Sequence, residues 1–189
     1  MLLFQKAVVE GSLAILLKCS YYADLSHAAD EDRAREAEYL LELLTPVAKS
    51  FPAEMGVLSV SQGMQVLGGA GYTDDFPLEQ HYRDIRVNAI YEGTTGIHGL
   101  DLLGRKVFLA DGKAMSLLMK EIKTTTELGA AYPELAPYAA MLAKRAAALH
   151  QTTMKLVQVA MKETPEIFLA DATLYLEFAG LLVAAWVWM

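Results

Sequence analysis

The chain has 189 residues, of which 54% are hydrophobic, and this length suits one large or two small domains. Its 16 basic and 23 acidic residues give a formal net charge of −7, which argues against nonspecific binding to nucleic acid or to an anionic membrane. The single cysteine, Cys19, excludes an intrachain disulfide and a cysteine metal site, so we expect it to be a small buried hydrophobic residue in a cytoplasmic protein.

The N-terminal third of the chain has the pattern of long helices. Residues 2–27 are dense in Leu, Ile, Val and Ala. They predict a buried bundle helix rather than a signal peptide, because no basic segment precedes the apolar run. Residues 30–44 begin with acids, which are favourable at a helix N-terminus. Pro46 then predicts the first turn of another helix, with Thr45 as its N-cap, and Pro52 predicts a kink or a break in that helix.

The middle of the chain is predicted to alternate short helices with loops. The helical pattern stops at paired glycines, and a loop rich in Gly, Asp and Pro follows over residues 68–77. A short helix can begin at Pro77, whereas residues 88–93 predict a turn or an extended segment. Thr94 or Thr95 can then cap a further helix through its hydroxyl oxygen.

The C-terminal part is predicted to contain three more helices. They cover residues 113–128, residues of about 136–162, and the apolar stretch after a connector at 163–170. Asp171 or Thr173 is the expected N-cap of the last helix. The longest of the three carries a face that suits packing on another helix: Leu142, Ala146, Leu149, Thr153, Leu156 and Ala160. Because no βαβ alternation occurs, the fold class is all-α, a helical bundle.

Charge and chain ends suggest how the protein is organised. Residues 1–104 hold seven basic and 15 acidic residues, against nine and eight in residues 105–189, so two units are expected. The last apolar stretch has 16 residues and contains Glu177, which is short of the roughly 20 residues that a membrane span needs. A soluble chain should not end on a bare Trp-Val-Trp-Met, so we expect a partner or a domain to cover this tail, or the chain to be a piece of a longer protein.

Two further patterns were considered as ligand sites. The sequence GGAG at residues 68–71 lacks the preceding strand and the following helix of a Rossmann fingerprint, so a helix C-cap is favoured over a ligand loop. Four histidines are scattered along the chain: His27, His81, His98 and His150. No two of them have metal-ligand spacing on a helix face, so no metal site is predicted.

Glu92 is the one carboxylate in the apolar stretch NAIYEGTTGI, residues 88–97. Gly93 frees the backbone, so that the carboxylate can point where an ordinary residue would be strained. Ile90 and Tyr91 can exclude water, and desolvation raises a carboxyl pKa toward a value useful for proton abstraction. These residues alone leave two alternatives open, an exposed turn residue and a partly dry catalytic base.

Residues 65–107, taken together, resemble the C-terminal helical domain of the acyl-CoA dehydrogenase family. The matching elements keep the family's order and spacing: Gln65, Gly68-Gly69, Gly71-Tyr72, Pro77, Tyr82-Arg83-Asp84 and Ile90-Tyr91-Glu92-Gly93-Thr94. The resemblance extends over residues 1–107. Residues 108–189 resemble the extra helical segment of a subgroup with a longer C-terminus, which includes enzymes similar to 3-methylmercaptopropionyl-CoA dehydrogenase.

The resemblance implies a specific reaction. Enzymes of this family use FAD to oxidise an acyl-CoA thioester to the trans-2-enoyl-CoA. Glu92 matches the glutamate that removes the α-proton while the β-hydrogen leaves as a hydride. Tyr91 and Gly93, on either side of this base, are the implied substrate contacts, and backbone N–H groups near the base can polarise the thioester carbonyl.

The resemblance also implies a cofactor and partners. Four residues match FAD-contacting positions of the family: Gln65, Gly68, Gly69 and Thr94. The first three match contacts to the FAD of a neighbouring subunit, which implies a homodimer or a dimer of dimers. An electron-transfer flavoprotein is the implied electron acceptor.

The family's N-terminal helical domain and middle β-domain have no counterpart in this sequence. We therefore expect a C-terminal piece that carries the base but is inactive alone. The alternative is a flavin-free helical module for oligomerisation or regulation, derived from the same fold. A DNA-binding relative is disfavoured, because the chain is acidic and has no basic cluster.

Overall fold

A computed structural model describes residues 1–189 and confirms the all-α fold, since the chain contains no strand. The helices are α1 (Leu2–Ala28), α2 (Glu31–Leu67), α3 (Leu78–Val87), α4 (Thr95–Gly104), α5 (Lys113–Ala130), α6 (Ala136–Ala160), α7 (Pro165–Phe168) and α8 (Ala172–Trp188). Two short 3₁₀ turns, Gly68–Gly71 and Lys106–Phe108, follow α2 and α4.

Helix α2 runs unbroken through both prolines, so the predicted new helix at Pro46 is wrong. Its true N-cap is Asp30, whose side chain accepts a hydrogen bond from the backbone N–H of Arg33. Thr45 does not cap a helix, and its hydroxyl donates to the carbonyl of Leu41 at 2.7 Å. A proline inside a helix costs about 3 kcal/mol relative to alanine. Burial of several large side chains on α2, each contributing about 1.5–3 kcal/mol, outweighs this cost: Leu40, Leu43, Leu44 and Val47.

Helix α1 has the predicted bounds but is buried along only one side. Its buried residues are spaced by three or four positions: Val8, Gly11, Ile15, Cys19 and Tyr22. The opposite side leaves large apolar residues exposed, among them Leu3, Leu13 and Leu17. The expectation of a fully buried helix therefore needs correction, because the other helices cover α1 on one side only.

One contiguous hydrophobic core joins the two units that charge suggested. Its 27 buried residues come from α1, α2, α4, α5, α6 and α8 and from the short segments around residues 107 and 168. Helix α8 lies against α1, α2, α4 and α6, so the C-terminal part contacts the N-terminal bundle directly. The α6 face is buried as predicted at Leu142, Ala146, Leu149 and Thr153, and it is half-buried at Leu156 and Ala160.

The C-terminal tail packs on the chain itself rather than standing bare. Trp186 is buried, and its indole N–H donates to the hydroxyl of Thr125 at 2.9 Å. The Trp188 indole N–H donates to the carbonyl of Ala7 at 3.1 Å, which joins the end of α8 to α1. By length and composition alone, Pro165–Trp188 could cross a membrane, but half of its most apolar window is buried inside the bundle.

Candidate functional site

The turn between α3 and α4 holds Glu92 in an unusual backbone conformation. Its φ is +54°, and that of Gly93 is +92°, so both lie in the left-handed region. This region costs a residue with a Cβ about 1–2 kcal/mol. Ala110 and Asp111, in the loop before α5, share the feature, so positive φ alone does not identify a functional residue.

Two side chains of α2 hold this turn from one side. The Lys49 ammonium donates to the carbonyl of Asn88 and also lies 4.8 Å from the centre of the Tyr91 ring. The Glu54 carboxylate accepts a hydrogen bond from the hydroxyl of Thr95, in the first turn of α4. The turn is therefore anchored before and after Glu92 by the same helix.

A third contact comes from α4. The His98 ring lies beside Glu92, with its Nε2 atom 3.2 Å from the Glu92 carbonyl oxygen. Because a carbonyl oxygen only accepts, the imidazole must carry its proton on Nε2 in this contact. A Cβ added at Gly93 would lie 3.0 Å from the same Nε2 atom, so the absence of a side chain at residue 93 gives the His98 ring the space for this position.

Helix α3 is seated on α2 through two glycines that bring the backbones close. Ile85 lies over Gly56, and Leu78 lies over Gly63, so the two helices run antiparallel with the same seven-residue spacing. These two contacts, Ile85 on Gly56 and Leu78 on Gly63, form the seam between α2 and α3, and they set the direction in which the chain leaves α3. Because α3 ends at Val87, the seam places the Glu92 turn next to Lys49.

The structure leaves Glu92 exposed in this chain. Its predicted cover is exposed as well, Ile90 at 55% and Tyr91 at 47%. The expectation that these neighbours keep the carboxylate dry is therefore wrong for the chain by itself, because their side chains turn toward solvent. Thr94 is also exposed, and although it is the N-cap residue of α4 its hydroxyl makes no cap hydrogen bond.

The predicted FAD-contacting residues of α2 form a separate, exposed edge. Gly68 ends α2 with φ +62° and donates its N–H to the carbonyl of Gln65, which confirms the predicted C-cap. A Cβ built at Gly68 or Gly69 would meet nothing within 4 Å. Packing within the chain thus leaves open space over both glycines, whereas Gly71 lies tightly against the Met64 carbonyl.

The structure does not bring the two groups of site residues into one pocket. At a rise of about 1.5 Å per residue, Gln65 lies roughly 16 Å along α2 from Glu54. The groove of about 930 Å³ that the chain does form is elsewhere, between α1, α6 and α8. Its lining is apolar except for Lys6 and Arg145.

The sequence reasoning missed Lys49 and Glu54. Their partners are 39 and 41 residues away along the chain, and neither residue belongs to a recognisable motif. Only the path of α3 back along α2 brings them to the turn. No spacing rule within a single helix could have identified them.

Comparisons with known proteins agree with the resemblance seen in the sequence. Residues 17–108 match a family model described as acyl-CoA dehydrogenase, C-terminal domain. Residues 118–189 match a second model, described as acetyl-CoA dehydrogenase C-terminal like. The two matched regions meet near the same boundary that the charge distribution suggested.

Two relatives illustrate the similarity. The chain is 39% identical over 127 residues to 3-methylmercaptopropionyl-CoA dehydrogenase of Ruegeria pomeroyi, covering 67% of this chain and 21% of that protein. It is 32% identical over 148 residues to broad-specificity linear acyl-CoA dehydrogenase FadE5 of Mycobacterium tuberculosis, covering 76% of this chain and 24% of that protein. The chain therefore spans only about a fifth to a quarter of the length of these relatives.

A solved structure supports the fold. The chain titled Bd2924 apo-form superposes with a TM-score of 0.58 at 23% sequence identity. The match covers 94% of this chain and 31% of the other. The fold of this chain therefore occurs over most of its length as part of a larger known protein.

Proposed function

This chain belongs to the acyl-CoA dehydrogenase family, and from this membership we propose that it supplies the catalytic base of an FAD-dependent oxidation. The substrate is an acyl-CoA thioester and the product is the trans-2-enoyl-CoA. The names of the relatives support an acyl-CoA substrate. The observation that carries the proposal is the left-handed, doubly anchored turn that presents Glu92.

In this proposal the Glu92 carboxylate accepts the α-proton of the thioester. That proton is only weakly acidic, so the base must be held close to it and in one orientation. The anchors to α2 supply this orientation, and Gly93 leaves room for the His98 ring, which contacts the Glu92 carbonyl. The N–H of Glu92 donates to the thioester carbonyl as negative charge develops there, and Tyr91 lies against the acyl group.

The FAD of a neighbouring subunit fits the exposed edge at the end of α2. The open space over Gly68 and Gly69 allows a flat or extended group to approach the backbone closely, and the exposed Gln65 amide can both donate and accept. Thr94 supplies a free hydroxyl beside the base. When bound, FAD accepts the β-hydrogen as a hydride.

The exposure of Glu92 supports the view that this chain does not catalyse the reaction alone. A base for this chemistry works in a site closed to water, whereas the Glu92 side chain of this chain is exposed. We propose that further parts of the enzyme and a second subunit close it, in a homodimer or a dimer of dimers. An electron-transfer flavoprotein as acceptor and a cytoplasmic location belong to the same proposal.

Replacement of the base tests the proposal in the longest natural protein that contains this segment. Acyl-CoA should bleach the flavin absorbance of the wild-type protein, and Glu92→Gln should abolish the bleaching while flavin remains bound. Glu134→Gln, at an exposed glutamate before α6, is the matched control and should bleach normally. Bleaching at the wild-type rate in Glu92→Gln would overturn the assignment of the base.

A flavin-free helical module for oligomerisation is the second candidate. The exposed apolar side of α1, with Leu3, Leu13 and Leu17, favours it. The 189-residue chain would then associate through this face without bound flavin, and Leu13→Glu together with Leu17→Glu should yield a monomer in sedimentation. A chain that is already monomeric before substitution would exclude this candidate.

A further inference from the structure

Lys49 reaches the Glu92 turn from a distant part of the chain and makes two different contacts there. Its ammonium donates to the carbonyl of Asn88, and the same atom lies 4.8 Å from the centre of the Tyr91 ring. The first contact fixes the backbone where α3 ends. The second fixes the side chain immediately before Glu92.

The ammonium of Lys49 has no carboxylate partner. It takes part in none of the ion pairs of the chain, which are Lys6–Glu10, Lys18–Glu121, Arg35–Glu31, Arg105–Asp101, Lys106–Glu42, Lys113–Glu36 and Lys123–Glu127. Lys49 is half-buried, so its charge is partly removed from water and is satisfied by the turn itself. A carbonyl oxygen and a ring face are the two kinds of neutral partner that stabilise an ammonium in such a place.

We propose that Lys49 is a positioning residue for Glu92, an inference that rests on the proposed function. Glu54 and His98 hold the turn on its C-terminal side, at Thr95 and at the Glu92 carbonyl. Lys49 is the only side chain that donates to the backbone on the N-terminal side, between Asn88 and Tyr91. Without it, the turn loses its side-chain anchor on the N-terminal side, and the Glu92 carboxylate samples orientations that do not face the α-proton.

The test uses the complete flavoenzyme and the single-turnover rate of flavin reduction at saturating acyl-CoA, normalised to bound flavin. Lys49→Met keeps the length of the side chain but removes the donor and the charge. A small displacement of a catalytic group typically costs about 10- to 100-fold in rate, so we expect a loss of this size with an unchanged dissociation constant for acyl-CoA. Lys49→Arg should recover the rate to within about threefold, because a guanidinium is also a charged donor that can bond to a carbonyl and lie over an aromatic ring.

A matched control separates positioning from general stability. Lys120, exposed on α5, contacts no part of the turn. In the Lys120→Met variant, acyl-CoA should reduce the bound flavin at the wild-type rate. A merely structural role of Lys49 would lower the thermal midpoint of Lys49→Met without slowing reduction per bound flavin. That result would overturn the proposal, and so would a failure of Lys49→Arg to recover the rate.

Glu92→Gln in the same assay distinguishes the inference from the proposed function. If Glu92→Gln reduces flavin normally, the proposed function itself fails. If Glu92→Gln is inactive and Lys49→Met reduces flavin within twofold of wild type, only the role of Lys49 is overturned. Should Lys49→Met not fold, Lys49→Gln replaces it in the test. Its amide is uncharged and one bond shorter than the ammonium, so it loses the cation over Tyr91 and reaches the Asn88 carbonyl less well, and a wild-type rate in this variant would overturn the proposal.

Discussion

The backbone of Glu92 adopts a left-handed conformation that is unfavourable for a residue with a Cβ. Its φ of +54° is one that glycine adopts freely, yet the chain has a glutamate there and a glycine immediately after it. Anchors on α2 and α4 maintain the conformation. Strained residues persist where the surrounding structure holds them, and they cluster at functional sites, so the conformation of Glu92 is consistent with its proposed role as the base.

Replacement of Glu92 by glycine should therefore stabilise the protein while removing its activity. Relief of about 1–2 kcal/mol of left-handed strain, less about 0.5–1 kcal/mol of extra chain entropy, predicts a rise of about 0.5–1 kcal/mol in the free energy of unfolding. Urea unfolding of the purified chain measures it. Asp111→Gly, at φ +56°, is the matched control and should gain stability without loss of activity in the complete enzyme. A destabilised Glu92→Gly would contradict the claim of strain.

The buried thiol of Cys19 makes stability depend on alkaline pH. Burial raises the pKa of this thiol from its usual value near 9 to about 11. The folded chain thus holds the proton more tightly than the unfolded chain does. Stability is complete below about pH 9 and falls as the pH rises toward 11, because the unfolded thiol ionises first. Tyr175, with its pKa raised to about 12 by burial, adds a decline of the same sign at higher pH.

Cys19→Ala should flatten the first part of this decline. We expect the urea midpoint of the parent chain to fall more between pH 8.5 and pH 10.5, values chosen to bracket the ionisation of the unfolded thiol, than that of the variant. The tyrosines are common to both proteins, so the difference reports the thiol. Equal slopes in the two proteins would show that Cys19 does not contribute.

At the scale of the helices, the seam between α2 and α3 decides where the site turn lies. Helix α3 has only ten residues, and none of them is fully buried. Its attachment depends on the close approach that Gly56 and Gly63 allow under Ile85 and Leu78. The two glycines differ in the space above them, and this difference gives a sharp test.

Gly63→Ala and Gly56→Ala should have opposite effects on stability. At Gly63 a Cβ would make ordinary contacts of 3.4 Å and 3.5 Å, so alanine gains about 0.8–1 kcal/mol of helix propensity. At Gly56 it would overlap the Cδ1 atom of Ile85, and overpacking costs about 1–3 kcal/mol. Thermal unfolding of both variants checks the signs.

A double-mutant cycle isolates the cause at Gly56. Ile85→Val removes the Cδ1 atom that the new methyl group would meet, so Gly56→Ala should cost less in that background, by about 1 kcal/mol. If the effects of the two substitutions on the free energy of unfolding are additive, the cost of Gly56→Ala does not come from its contact with Ile85. Stability measurements on the four proteins of the cycle suffice.

At the scale of the whole molecule, one core spans both family-model regions. Helix α8 carries both tryptophans and packs on α4, where Gly99 allows the Ala172 backbone to approach. Gly180 of α8 similarly admits the Phe51 ring of α2. Such contacts bind the C-terminal helices to the N-terminal bundle, so unfolding of one part exposes the core of the other.

We therefore expect a single cooperative unfolding transition. Tryptophan fluorescence reports α8 and far-ultraviolet circular dichroism reports all the helices, and the two curves should coincide. Gly99→Ala places a Cβ 2.9 Å from the Ala172 carbonyl oxygen and should shift both curves together, by about 1–3 kcal/mol. Gly96→Ala, in the same helix with open space around it, should not destabilise. Separate transitions would indicate two independent units.

The sequence by itself determined the helical class, most helix bounds, the Gly68 cap and the motif block around Glu92. These features depend on periodicity and on local backbone chemistry, which neighbouring residues carry. It failed at Pro46, where the local rule predicts a helix start. Burial of α2 against the rest of the core overrides that rule, and burial is a property of the fold rather than of the segment.

Only the tertiary structure decided how the candidate site is held. The contacts of Lys49 and Glu54 with the turn join residues some 40 positions apart, and they exist because two glycines let α3 fold back along α2. The structure likewise showed that the side chains expected to shield Glu92 face solvent. A local sequence pattern indicates which residue could be a base and which neighbours could shield it. The position of that residue and its access to water depend on packing between distant helices.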